Sequence, residues 1–169
     1  NDTFAFHGLL TGAVDTGDVK FEIELLDIQQ LNDGLRTQRF DVAKASFAAA
    51  LGLAEDMLVL PSGSALGFGV GPLLLARSAN EKPEGASQIV VCPGKDTTAS
   101  LLFQIFFPKT ASVRQVVFSE IMPTLAEGHA DFGVCIHEGR FTWQESGLHL
   151  VEDLGERWER ETNCPLPLG

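Results

Sequence analysis

Residues 88–107, QIVVCPGKDTTASLLFQIFF, restrict the fold more than any other part of the chain. QIVVC is an apolar run of strand length, PGKDTT is a turn, and TASLLFQIFF has the length and composition of a buried helix. A strand that leads through a short turn into a helix implies a crossover, and so a parallel or mixed sheet. The pattern recurs downstream. SVRQVVFS predicts a strand, EIMPTLAEG a helix with Pro123 in its first turn, and DFGVCIHE another strand. LGERWERETN predicts a polar helix near the end of the chain.

The upstream half carries the same alternation. TFAFHGLLTG predicts a short helix behind the capping types Asn1 and Asp2. VKFEIELLDI alternates apolar and acidic residues through Phe21, Ile23 and Leu25, the pattern of a half-buried strand. IQQLNDGLRTQ predicts a helix, FDVAKASF a short strand running into a loop, and AAALGLA a further helix. MLVLPSGSALGFGVGPLLLARS supplies two apolar runs around a loop rich in Gly and Ser. LNDGLRTQRFDVAKASF and IMPTLAEGHADFGVCIHE echo each other as helix, polar turn, Asp and apolar strand, which aligns Asp41 with Asp131. NEKPEGAS, residues 80–87, is the sharpest shift in composition and the best linker candidate, dividing the chain into 1–86 and 87–169.

A formal charge of -11 repels phosphate backbones and anionic membranes, so neither nucleic acid nor a membrane is expected as a partner. A small anion remains compatible, because helix N–H groups and one or two cations suffice to hold a carboxylate. The three cysteines are far apart and form no CxxC, which points to a reducing compartment and a cytoplasmic location. No apolar run reaches the ~18 residues of a membrane-spanning helix. The chain opens at Asn1 without Met and stops at PLPLG, as a fragment would. Nothing in the sequence sets an oligomeric state.

Ligands of open α/β sheets gather beyond the carboxyl ends of the strands. DFGVCIHE brings His137 to such an end, where a neutral imidazole can serve as general base. The competing reading is a strand-end histidine bonded to a neighbouring carbonyl. Glu138 would point to the opposite strand face and is read with Arg140 as a surface or structural pair. Asp96, Thr97 and Thr98 fall at a helix N-terminus, where N–H groups and hydroxyls suit a carboxylate or phosphate, although plain N-capping uses the same residues. The Gly-rich loops match neither Walker nor Rossmann spacing, and no GxSxG elbow surrounds Ser62 or Ser64. His7, His129 and His149 show no metal-ligand spacing, so no metal site is expected.

NDTFAFHGLLTGAVDTG, PSGSALGFGVGPLLLAR, PGKDTTASLL and GVCIHEGRFTWQESGLHLVEDLGERWERETNCPLPLG closely resemble the 1,4-dihydroxy-6-naphthoate synthase family of the futalosine route to menaquinone. The resemblance implies a two-lobed fold like the type II periplasmic binding proteins, with mixed sheets and a ligand cleft between lobes. Lobe 1 would occupy 1–86 and lack its return segment, and lobe 2 would occupy 87–169. The implied reaction is that of a lyase converting cyclic dehypoxanthine futalosine, a small anionic substrate, to dihydroxynaphthoate without metal or organic cofactor. The family's base falls on His137. Its pocket falls on Asn1, Asp2, Thr3, Lys44, Ser46, Ser62, Ser64, Thr97 and Thr98, with the Thr pair holding the substrate carboxylate. Two alternatives stay open at this point: a non-catalytic binder of a small carboxylate solute, and chorismate dehydratase of the same pathway.

Overall fold

The computed structural model describes residue 4 and residues 6–169. Asn1, Asp2 and Thr3 lie outside the described residues. In chain order the elements are α1 (His7–Leu10), α2 (Ile28–Arg36), α3 (Phe47–Gly52), β1 (Leu66–Gly67), β2 (Leu73–Ala76), β3 (Ile89–Cys92) and α4 (Thr98–Phe106). They continue with β4 (Ser112–Gln115), α5 (Ile121–Ala126), β5 (Phe132–Cys135), α6 (Gly139–Thr142), β6 (His149–Asp153), α7 (Leu154–Thr162) and β7 (Leu166–Pro167).

Five strands form one mixed sheet in the order β4-β3-β5-β2-β6. β4, β3 and β5 run parallel, and β2 lies antiparallel between β5 and β6. Strand alternation sends Leu74, Ala76, Val90, Cys92, Phe132 and Val134 to one face, where Leu102 and Phe103 of α4 and Leu154 of α7 cover them. Leu73, Leu75, Val91 and Cys135 face the other way, against Ile121 and Leu125 of α5. The result is an α/β arrangement of three layers, with β2 wholly buried because both its edges and both its faces are occupied. The 86/87 division falls in the β2–β3 connection, and the sheet spans it.

The expected strands at VKFEIELLDI and in FDVAKASF are not formed. Residues 21–27 and 39–46 are irregular, and Phe21, Ile23 and Leu25 are exposed. An alternating pattern becomes a strand only beside a partner that accepts its ladder bonds, and the described residues supply none there. The echo between the two halves therefore ends before its strand: Asp131 leads into β5 while Asp41 sits in a bend. A short ribbon, β1 antiparallel to β7, joins the ends of the Gly-rich loop and the C-terminal segment. No helix among the described residues is long and apolar enough to cross a membrane.

Candidate active site

Because β4, β3 and β5 are parallel, their carboxyl ends open on one edge of the sheet. Three connections meet there: 93–97 into α4, 116–118 after β4, and 136–138 after β5. The first is tightly wound. The Thr97 hydroxyl donates to the Gly94 carbonyl at 2.7 Å and accepts the Ser100 N–H at 3.2 Å, which caps α4. The Ser100 hydroxyl donates to the same carbonyl at 2.5 Å, and the Gly94 N–H donates to Gln115 Oε1 at 3.0 Å. Thr97 is thus engaged as a cap and turn brace. The Thr98 hydroxyl turns the other way and donates to the Leu168 carbonyl at 3.4 Å.

Ser46 caps α3 and joins the same region. Its hydroxyl accepts the Ala49 N–H at 3.2 Å and donates to the Asp96 carbonyl at 2.5 Å. Asn32, with no exposed surface, accepts the Ser46 N–H at 3.1 Å and donates to the Ser46 hydroxyl and the Asp96 carbonyl at 3.1 and 3.3 Å. One amide so links α2, α3 and the β3–α4 turn. Arg36 donates to the Asp96 carboxylate at 2.8 Å, and that hydrogen bond holds the Asp96 pKa below its usual value. Lys44 is half-buried beside Gly169. Ser62 and Ser64 are exposed on the loop ahead of β1, whose Ala65 carbonyl accepts the Leu168 N–H at 2.9 Å. The Leu168 carbonyl also receives the Phe47 N–H at 3.4 Å, so the C-terminal segment runs past the N-termini of α3 and α4.

His137 belongs to the third connection. The β5 strand ends at Cys135, so His137 and Glu138 do not alternate across a strand as expected. His137 instead takes a left-handed φ of 55° and opens the short turn into α6. It is exposed, and its ring meets Phe118 edge-on, with centroids 5.1 Å apart. Phe118 follows Val117, which lines a cavity of ≈330 Å³ together with Asp27, Gln29, Gln30, Gly94, Gln115 and Val116. That volume is at the lower end of small-molecule sites. Arg140, expected to pair with Glu138, donates to Asp153 and to the Gly71 carbonyl.

The structure therefore gathers Ser46, Thr97 and Thr98 around two helix N-termini, and places His137 at the same sheet edge on a neighbouring connection. Asn32 escaped the sequence reading. Its signal was spacing: it stands among Ile28, Leu31 and Leu35 on the inward stripe of α2, where a polar residue must find partners. Burial raises the Cys92 and Cys135 thiols to about 12 and about 11, so neither is a nucleophile near neutrality. Among the described residues, no His, Cys, Asp or Glu cluster could hold a metal ion.

Two curated proteins share 40% identity with the chain: 1,4-dihydroxy-6-naphthoate synthases of Streptomyces coelicolor, over 174 residues, and of Thermus thermophilus, over 169. Each match takes in 100% of this chain and 61% of the relative. The crystal structure of protein AF1704 from Archaeoglobus fulgidus superposes with a TM-score of 0.91 at 30% identity, over 99% of this chain and 61% of that one. The ligand-binding component of an ABC-type import system from Staphylococcus aureus superposes at 0.64 with 12% identity, over 91% and 57%, a likeness of fold alone. The profile described as menaquinone biosynthesis matches residues 1–169. With its length covered from end to end, the chain belongs to the menaquinone-biosynthesis family.

Proposed function

We propose that the full-length protein is a cytoplasmic 1,4-dihydroxy-6-naphthoate synthase, a lyase acting on cyclic dehypoxanthine futalosine. The observation that carries this reading is the 40% identity to two such synthases across the whole of this chain. His137 is the general base. It stands exposed beyond the end of a central strand, in a backbone conformation that a non-glycine residue adopts at a cost of order 1 kcal/mol, and such strain gathers at functional sites. The imidazole takes a proton from the substrate, and aromatisation of the product helps drive fragmentation. The helix N-termini near Ser46, Thr97 and Thr98, with Lys44, receive the substrate carboxylate. Ser62 and Ser64 contribute further hydroxyls to substrate binding, and Asn1, Asp2 and Thr3, outside the described residues, are assigned to it by the family resemblance alone.

The protein would be two-lobed. The mixed sheet forms the second lobe, better begun at β2 than at residue 87, because β2 is hydrogen-bonded inside it. Phe21, Ile23, Leu25, Leu58, Val59 and Leu60 are all exposed, as the inner face of an uncompleted first lobe would be. Turnover of cyclic dehypoxanthine futalosine by the full-length protein, followed by mass spectrometry, tests the reading. Dihydroxynaphthoate should form, and its rate should fall ~10²–10⁴-fold in His137→Asn. Tight binding without turnover would assign a solute-binding role instead.

A further inference from the structure

Arg140 follows His137 by three residues and closes the turn that carries it: the Arg140 N–H donates to the His137 carbonyl at 3.1 Å. Its guanidinium then reaches two other elements. One nitrogen donates to the Gly71 carbonyl, just ahead of β2, at 2.8 Å, and another to Asp153, at the end of β6, at 2.5 Å. Both side chains of the ion pair are largely buried, 16% and 9% exposed. Asp153 is itself fixed, since its other oxygen caps α7 by accepting the Gly155 and Glu156 N–H groups at 3.0 Å each. The turn is also pressed onto the strand before it: a Cβ on Gly139 would lie 2.2 Å from Cys135 Sγ.

A left-handed His137 resists this geometry, because its Cβ crowds the backbone in that conformation. Something must hold the turn, and a guanidinium bridging two elements does so. A planar fork can serve two acceptors in different directions at once, whereas an ammonium on a flexible stem reaches one of them well. We propose that Arg140 is the positioning residue for His137, bolting the 137–140 turn to β2 and β6 so that the imidazole faces the substrate. The proposal rests on His137 being the base. Arg140 touches no reacting atom and acts through the turn.

Steady-state kinetics of the full-length protein test it, using Arg140→Lys, His137→Asn and the double variant on cyclic dehypoxanthine futalosine. Misplacing a base by about 1 Å is enough to lower kcat ~10²-fold. Arg140→Lys should therefore lose about 10- to 100-fold in kcat with KM held within about threefold. The double variant should turn over no more slowly than His137→Asn alone. A wild-type kcat in Arg140→Lys overturns the proposal, as does a raised KM at unchanged kcat. A further multiplicative loss in the double variant overturns it too, because Arg140 would then act independently of His137. If Arg140→Lys fails to fold, Asp153→Asn replaces it, keeping the α7 cap while removing the ion pair, with the same split expected. Full turnover by His137→Asn would instead refute the base assignment, an outcome distinct from failure of Arg140 alone.

Discussion

Gly71 and Gly155 touch backbone against backbone: a Cβ on Gly71 would lie 2.2 Å from the Gly155 Cα, and one on Gly155 would lie 2.5 Å from the Gly71 Cα. The contact seats the start of α7 on the approach to β2, where the Leu154 N–H also donates to the Pro72 carbonyl at 3.0 Å. Main chain cannot swing aside as a flexible side chain would. Gly71→Ala and Gly155→Ala should each destabilise by about 1–3 kcal/mol. The double variant should lose less than the sum, because one displacement serves both methyl groups. Urea midpoints check this, and a wild-type midpoint for either single variant would refute the tight contact.

Asn32 should matter for stability out of proportion to its size. Asn32→Leu strands the buried Ser46 N–H and removes one donor from the Asp96 carbonyl. An orphaned buried donor costs about 1–3 kcal/mol, more than the added apolar surface returns at a crowded site. Equilibrium denaturation of the variant should show that loss.

Asp96 links stability to acid. Its pKa is lowered in the folded protein, chiefly by the Arg36 hydrogen bond. The stabilisation is therefore present above the ordinary carboxylate range, about 4, and disappears as pH falls through the lowered folded value. Arg36 is 47% exposed at its side chain, so salt should weaken the effect. Urea midpoints taken from pH 7 to pH 3 should fall less steeply in Arg36→Gln than in the wild type.

His137→Gly should separate stability from activity. Glycine accepts a φ of 55° without the Cβ penalty, so the variant should be as stable as the wild type or gain up to about 1 kcal/mol. Its turnover should drop as far as that of His137→Asn. A clear loss of stability would mean that the imidazole itself holds the turn.

The thiols offer a simple count. Cys164 is exposed while Cys92 and Cys135 are buried with raised pKa values. Ellman's reagent near pH 8 should titrate one thiol in the native protein and three in denaturant.

How much of this was legible depended on whether partners lay close in sequence. QIVVC, SVRQ and DFGVC became adjacent strands, because the helices α4 and α5 carry the chain from each to the next and cover the sheet. α4 and α7 formed where composition placed them. Phe21, Ile23 and Leu25 carried as clear a pattern and formed nothing regular, since pairing is a property of two segments and the described residues provide only one. β6 was missed because its mostly polar sequence, HLVED, fits an edge whose outer face meets solvent. His137 was legible as a strand-end residue, but its left-handed backbone was not, because local residue types carry no sign of a turn enforced from Gly71 and Asp153. Asn32, Thr97 and Ser46 show the same limit. Side-chain type announces capping capacity, and only the fold decides which carbonyl is met.

The place of β2 in the sheet sets a clock on synthesis. β2 is the first strand of the large sheet to be made, yet its two neighbours are the fourth and fifth, β5 and β6. At ~5–20 residues per second, the roughly 75 residues from Ala76 to Asp153 keep Leu73, Leu74 and Leu75 waiting for about 4–15 s. β3, α4 and β4 can associate during that interval, whereas β2 gains its first neighbour only once β5 has been made and its second only with β6. The nascent chain therefore carries three consecutive leucines without their strand partners for seconds.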